Sequence, residues 1–168
     1  MAMTAASPVF VDTNVLVYAM IPTAPLHAVA RAALDELRRS GTELWTSRQV
    51  LREYIATVTR PQTWMTPLSA AGVAADVARF QTDFHIAEDG PAVTAELLRI
   101  LSTVTVQGKQ IHDANIVATM LGHAIPTLLT HNAVDFSRYA GLIAVLPLVP
   151  PSPPAPVAPP VSPPPGAP

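Results

Sequence analysis

Short apolar runs bounded by polar capping residues alternate along the chain with longer stretches in which apolar residues recur every three or four positions. Val9-Phe10-Val11 is the first run, β-branched or aromatic throughout, as a short buried strand requires. Asp12-Thr13-Asn14 follows at once, residues that favour helix caps, and then a second apolar run from Val15 to Ala19. Leu26, Val29, Ala30, Ala33, Leu34 and Leu37 fall on one face of an amphipathic helix, with Gly41 as its stop. Glu43 to Thr46 predicts a strand, and Ser47 caps a helix carrying Val50, Leu51, Tyr54, Ile55 and Val58 on one side.

Pro61 and Pro67 bracket a loop, and an Ala-rich helix runs from Ser69 to about Phe80. Phe84 to Ala87 reads as a strand, and Asp89-Gly90-Pro91 as a turn leading into a helix through Ile100. After a connection from Val104 to Gly108, Ile111 to Leu121 predicts a helix that is apolar over most of its circumference. Pro126 opens a strand at Thr127–Thr130, and Leu142 to Leu146 supplies the last. Strands alternating with helices predict an α/β fold, a single domain whose central, mainly parallel β-sheet is flanked by helices.

Length and composition sharpen this picture. A chain of 168 residues supports one domain with a proper core, and 49% hydrophobic against 13% charged residues makes most of it globular. The pattern places that domain at residues 7–148. From 149 to 168 the chain is almost entirely Pro, Ala, Val and Ser without charge, the composition of a disordered or semi-extended tail. A formal charge of −2 argues against a constitutively basic nucleic-acid surface and leaves room for a local patch. With no cysteine, disulfides, zinc-thiolate sites and cysteine nucleophiles are excluded. The first residues lack a basic segment, Asp12 interrupts the apolar stretch an export signal needs, and no run reaches the roughly 20 residues of a membrane span. A cytoplasmic location fits this pattern.

The candidate chemistry lies in the acidic residues. Asp12 follows a strand directly, where open α/β sheets bind ligands, and it is equally well placed to cap the next helix. Asp113 shares a helix side with Ile116, Val117 and Met120, while His112, Asn115, Thr119 and His123 fall on the opposite, polar side. An ionised carboxylate on an apolar face costs several kcal/mol, roughly, unless a cation, a metal or helix N-terminal amides satisfy it. Glu53 lies off the apolar stripe of its helix, so periodicity permits an ordinary solvated residue. Asn132 and Asp135 follow a buried-looking strand and suit turn chemistry, and Thr130 ends that strand. Together, clustered carboxylates without cysteine or an obvious histidine set are hard oxygen ligands suited to Mg²⁺ or Mn²⁺.

Val9-Phe-Val-Asp12-Thr13-Asn14-Val-Leu, Gln49-Val-Leu-Arg-Glu53, Ile111-His-Asp113-Ala-Asn-Ile-Val-Ala and Leu129-Thr130-His-Asn132-Ala-Val-Asp135-Phe136, in that order, resemble a PIN domain. The order and spacing are most similar to the VapC-type toxins of bacterial toxin–antitoxin pairs, from about Val9 to Leu146. The resemblance implies metal-dependent ribonuclease activity leaving a 5′-phosphate, with Asp12, Glu53 and Asp113 as the acidic core. Many family members carry an aspartate where this chain has Asn132, and Asp135 then supplies the missing charge. Thr13, Asn14, Thr130 and Asn132 are expected to orient the ligands. The resemblance further implies an RNA substrate, a homodimer, and a small cognate antitoxin whose segment blocks the acidic groove. The proline-rich tail has no counterpart in the family pattern.

Two other readings stand beside this one. A catalytically weak PIN-like module that only binds RNA or protein accommodates Asn132 and the net negative charge. A phosphotransfer domain with an aspartyl acceptor at the first strand end would need a second aspartate beside Asp12, and none is there.

Overall fold

The computed structural model describes residues 7–150. Its elements run β1 (Val9–Val11), α1 (Thr13–Met20), α2 (His27–Arg39), β2 (Leu44–Ser47), α3 (Arg48–Val58), α4 (Ala70–Asp83), β3 (His85–Ala87), α5 (Pro91–Thr103), α6 (Gln110–Gly122), β4 (Thr127–Thr130) and β5 (Ala144–Pro147). The five strands form one sheet in the order β3-β2-β1-β4-β5, and every pairing is parallel. Parallel strands need crossovers, and these helices provide them, so the central strands are covered on both faces. That is why β1 is apolar at all three positions instead of alternating: each is buried.

β1 lies between β2 and β4, with Val11 opposite Leu129. The core gathers on both sides of this strand, from Phe10, Leu16, Tyr54, Ile100, Met120, Leu128 and Phe136 among others. Helix starts follow the caps read from the sequence. Ser47 accepts the Val50 amide, Ser69 accepts the Gly72 amide, and Pro91 sits in the first turn of α5. Gly41 has φ +74, the left-handed conformation that ends α2 at low cost for glycine alone.

The boundaries differ at a few places. β2 begins one residue later than read and takes in Ser47, which both ends the strand and caps α3. The final strand starts at Ala144, because Leu142 and Ile143 amides close a tight turn onto the Tyr139 carbonyl, 2.8 and 3.1 Å away. α4 and α5 each run about one turn past the predicted end, to Asp83 and Thr103. The proline-rich residues from 151 onward, part of the tail expected at 149–168, lie outside the described residues. No helix among the described residues is long and apolar enough to cross a membrane.

Candidate active site

The connections leaving β1 and β4 depart in opposite directions across the sheet, so a crevice opens beyond their carboxyl ends. Asp12 is the first residue past β1, and its amide still bonds to the Leu129 carbonyl at 3.0 Å. Its side chain is buried and fully engaged. Oδ1 accepts the Thr13 amide at 2.7 Å; Oδ2 accepts Asn14 Nδ2 at 2.6 Å and Thr130 Oγ1 at 2.7 Å. The two readings of Asp12 are therefore compatible: it caps α1 and it presents a carboxylate to the crevice. Burial raises its pKa, the hydrogen bonds from Thr130 and Thr13 pull against that, and the Glu53 charge adds to the rise.

Asn14 and Thr130 hold this carboxylate from both sides. Asn14 Oδ1 accepts the His131 amide at 2.9 Å, while its Nδ2 also approaches Thr130 Oγ1 at 3.2 Å. Thr130 Oγ1 in turn accepts the Asn132 amide at 3.0 Å. The last residue of β4 and the first turn of α1 are thus locked together through one carboxylate.

Glu53 is not the solvated residue that periodicity permits. It is half-buried, accepting Thr13 Oγ1 at 2.8 Å and Gln49 Nε2 at 2.7 Å. Gln49 also donates to the His112 carbonyl at 3.0 Å and accepts Asn115 Nδ2 at 2.7 Å. This chain of contacts ties α3 to α1 and α6. It also corrects the expected polar side of α6: Thr119 is buried and back-bonds to the Asn115 carbonyl, and Asn115 is spent on Gln49, so only His112 of the first turns faces open solvent.

Asp113 is the contrasting case. It sits in the first turn of α6, half-buried, and among the described residues no donor reaches its carboxylate, so the helix amides do not satisfy it. Burial first, then the charges of Asp135, Asp12 and Glu53, push its pKa up to about 6, with Arg138 opposing weakly. Nearby, the buried Tyr139 hydroxyl has no hydrogen-bond partner and feels the Asp113 charge. Asn132 and Asp135 form the turn read from the sequence, the Asp135 amide bonding to the Asn132 carbonyl at 3.0 Å. Asn132 lines the crevice; Asp135 is exposed and acts on Asp113 through its charge.

Asp12, Thr13, Asn14, Glu53, Asp113 and Asn132 line one pocket of about 250 Å³. Among the described residues none of its carboxylates is ion-paired to a lysine or arginine. Three like charges in one crevice, two of them on groups with raised pKa values, fit a hard divalent cation as neutraliser. No group of three acidic or histidine side chains among the described residues is already arranged to hold a metal ion. A cation here would draw part of its coordination from water, as Mg²⁺ commonly does.

Gln49 and Asn115 were given no role by the sequence, although the four-residue spacing of Gln49 and Glu53 puts them on one helix face. Three aromatic residues, Tyr18, Trp64 and Phe136, also line the pocket, and nothing in the local pattern distinguishes Tyr18 and Trp64 from ordinary core residues.

An all-parallel sheet with a carboxylate-lined pocket at its switch point defines a class, and sequence comparison supplies the family. The PIN domain profile matches residues 9–142, and the chain belongs to that family. It is similar to the "Ribonuclease VapC48" of Mycobacterium tuberculosis, at 26% identity over 133 residues, 78% of this chain and 91% of that protein. VapBC2 from Rickettsia felis, solved with a DNA fragment from its promoter, superposes with a TM-score of 0.60 at 18% identity, over 83% of this chain and 97% of that one. Mycobacterium tuberculosis VapC20, a sarcin–ricin-loop-cleaving toxin, gives 0.53 at 20% identity, over 71% and 86%. At these identities the solved structures establish a common fold.

Proposed function

We propose that the chain is a VapC-type toxin ribonuclease that hydrolyses RNA phosphodiester bonds with Mg²⁺ or Mn²⁺. The observation that carries this reading is the pocket that Asp12, Glu53 and Asp113 line together without a protein cation. Asp12, Glu53 and Asp113 would hold the ion, with Asp135 adding charge at the rim. When bound, the cation polarises the phosphodiester and lowers the pKa of a coordinated water. Thr130, Asn14 and the Thr13 amide fix the Asp12 oxygens, and Thr13 with Gln49 fixes those of Glu53. Asn132 offers a neutral carbonyl and amide at the pocket edge.

The same reading supplies a cytoplasmic setting, a homodimer and a small antitoxin. An antitoxin arginine reaching the uncompensated carboxylates would pair with them in place of metal. A PIN-like module that binds RNA without cutting it is the second reading, favoured by the neutral Asn132 at the pocket edge. The deciding experiment incubates the purified chain with RNA in Mg²⁺, in Mn²⁺ and in chelator. Cation-dependent cleavage that Asp113→Asn abolishes is the expected outcome; RNA binding without cleavage in any cation favours the second reading.

A further inference from the structure

A second pocket, of about 650 Å³, opens beside the acidic one, and Trp64 belongs to the walls of both. Its sides are the end of α1, the loop between α3 and α4, and the first turns of α4. The loop is not loosely draped. Gln62 and Met65 pair as an isolated antiparallel bridge with amide–carbonyl distances of 3.3 and 3.4 Å, and the Leu68 amide closes onto the Val58 carbonyl at 2.8 Å. Trp64 therefore sits on a two-residue turn held at both ends. Its ring lies 6.4 Å from that of Tyr18, which also lines the acidic pocket and meets His131 edge-on at 5.5 Å.

The lining of the larger pocket limits what it can take. It contains no lysine or arginine to offset a phosphate charge. Ile21, Met65 and Leu68 supply apolar surface, and Thr23, Gln62 and Thr63 supply neutral polar groups at the mouth. The lining includes one half-buried carboxylate, Asp76, whose Oδ2 accepts the Tyr54 hydroxyl at 2.5 Å; among the described residues nothing donates to its Oδ1. A flat aromatic wall, apolar surface and a carboxylate with a free oxygen match a planar ligand that bears N–H groups. Sequence-reading RNA sites use this combination on unpaired bases, stacking the ring and bonding its Watson–Crick edge.

We propose that this pocket holds one unstacked guanine of the RNA strand whose backbone crosses the acidic pocket, stacked on Trp64 with its N1–H and N2 donors toward Asp76. The assignment rests on the RNA-cleaving reading above and names the substrate it would select: an unpaired guanosine next to the cut phosphate. Cytosine and adenine each present a single amino group on that edge beside an acceptor nitrogen, which a carboxylate repels. Guanine alone presents adjacent donors.

Fluorescence tests the assignment without requiring cleavage. The chain has two tryptophans. Trp45 stacks on His85 in the sheet and lines neither pocket. In a Trp45→Phe, Asp113→Asn protein, Trp64 is the sole indole and RNA stays intact. With Mg²⁺, a short single-stranded RNA carrying one guanosine among uridines should quench that indole. The same RNA with an abasic site in place of guanosine should bind about tenfold more weakly, the size of one stacked base. Replacing the guanosine by adenosine should weaken binding too, and Asp76→Asn should level the two bases. In the otherwise unaltered chain, Trp64→Ala should lower kcat/KM on the guanosine RNA about tenfold, and Trp64→Phe should restore most of it at an unchanged melting temperature.

Equal binding of guanosine and abasic RNA, or binding without quenching, overturns the base pocket and leaves the nuclease reading standing. Quenching by an arginine-bearing peptide together with none by RNA assigns the pocket to a protein partner and overturns it as well. Failure of the unaltered chain to cleave any RNA, with normal quenching by guanosine RNA, overturns the cleavage reading and keeps the base pocket.

Discussion

The two sides of the acidic pocket are built on opposite principles. At the β1 end, Asp12 is buried, yet the Thr13 amide, Asn14 and Thr130 all donate to it. At the α6 end, Asp113 is half-buried and receives no donor among the described residues. Burial and the charges of Asp135, Asp12 and Glu53 push its pKa up to about 6, with no hydrogen bond pulling against them as at Asp12. One carboxylate is held in place and stabilises the fold by capping a helix; the other is left with an unmet electrostatic demand. A binding site needs both. The satisfied side supplies fixed geometry, and the unsatisfied side supplies the free energy that a cation or a partner's arginine can recover.

Substitution separates the two sides most sharply. Loss of a group that merely orients a metal ligand costs about 10–100-fold, so Asp113→Asn should reduce cleavage at least about a hundredfold. The same change should raise the melting temperature of the metal-free protein, because it removes a destabilising charge. Asp12→Ala should also abolish cleavage, but with a lower melting temperature, since it forfeits a helix cap worth about 1 kcal/mol and strands the Thr130 and Asn14 donors. Kinetics and calorimetry on both variants check this, and a shift of the same sign in the two would erase the contrast.

Cation binding comes next in size. Mg²⁺ at about 100 times its dissociation constant should add about 2.7 kcal/mol of stability, read as a rise in melting temperature of several degrees. Asp12→Ala should blunt that rise. Absence of any rise at millimolar Mg²⁺ or Mn²⁺ would favour the binding module.

A pH titration isolates the Asp113 side. Its folded-state pKa, about 6, lies above the unfolded value of roughly 3.9, so the folded protein holds the proton more tightly between those limits. Stability of the metal-free protein should therefore fall as pH rises from about 4 to 6 and level off above. Asp12, whose pKa is also raised, adds to the same slope. Asp113→Asn should flatten the curve, which chemical denaturation at stepped pH measures directly.

The smallest expected effect concerns the rim. Asp135 is the leading charge acting on Asp113, whereas Asn132 lines the pocket as a neutral group. Asp135→Asn should weaken the Mg²⁺ dependence of cleavage more than Asn132→Ala does. The reverse order in a metal titration would reduce Asp135 to a turn residue.

How much of this was legible in the sequence differs between the same two sides. The β1 strand, its Asp12 cap and the apolar face beneath Asp113 all follow from local pattern, because burial periodicity and capping act within a few residues. Glu53 did not, since what engages it are Thr13 on α1 and Gln49, itself tied to Asn115 on α6, contacts 40 and 66 residues apart in the chain. Trp64 was likewise invisible: its role depends on a short backbone bridge and on which pockets meet behind it. Single-helix periodicity also misjudged Asn115 and Thr119, whose polar side faces α3 instead of water.

The Thr130–Asp12 contact, 118 residues apart, also sets a clock. β1 is made before every other strand of the described sheet, yet one of its two neighbours is β4, the fourth in chain order. At about 5–20 residues per second, roughly 6 to 24 s separate the synthesis of Asp12 from that of Thr130. Throughout that interval the apolar edge of β1 that faces β4 has no partner strand. The Asp12 side of the acidic pocket can therefore be assembled only after β4 has been made. A co-produced inhibitor has at least that interval in which to be present before the carboxylate it would meet is held in place.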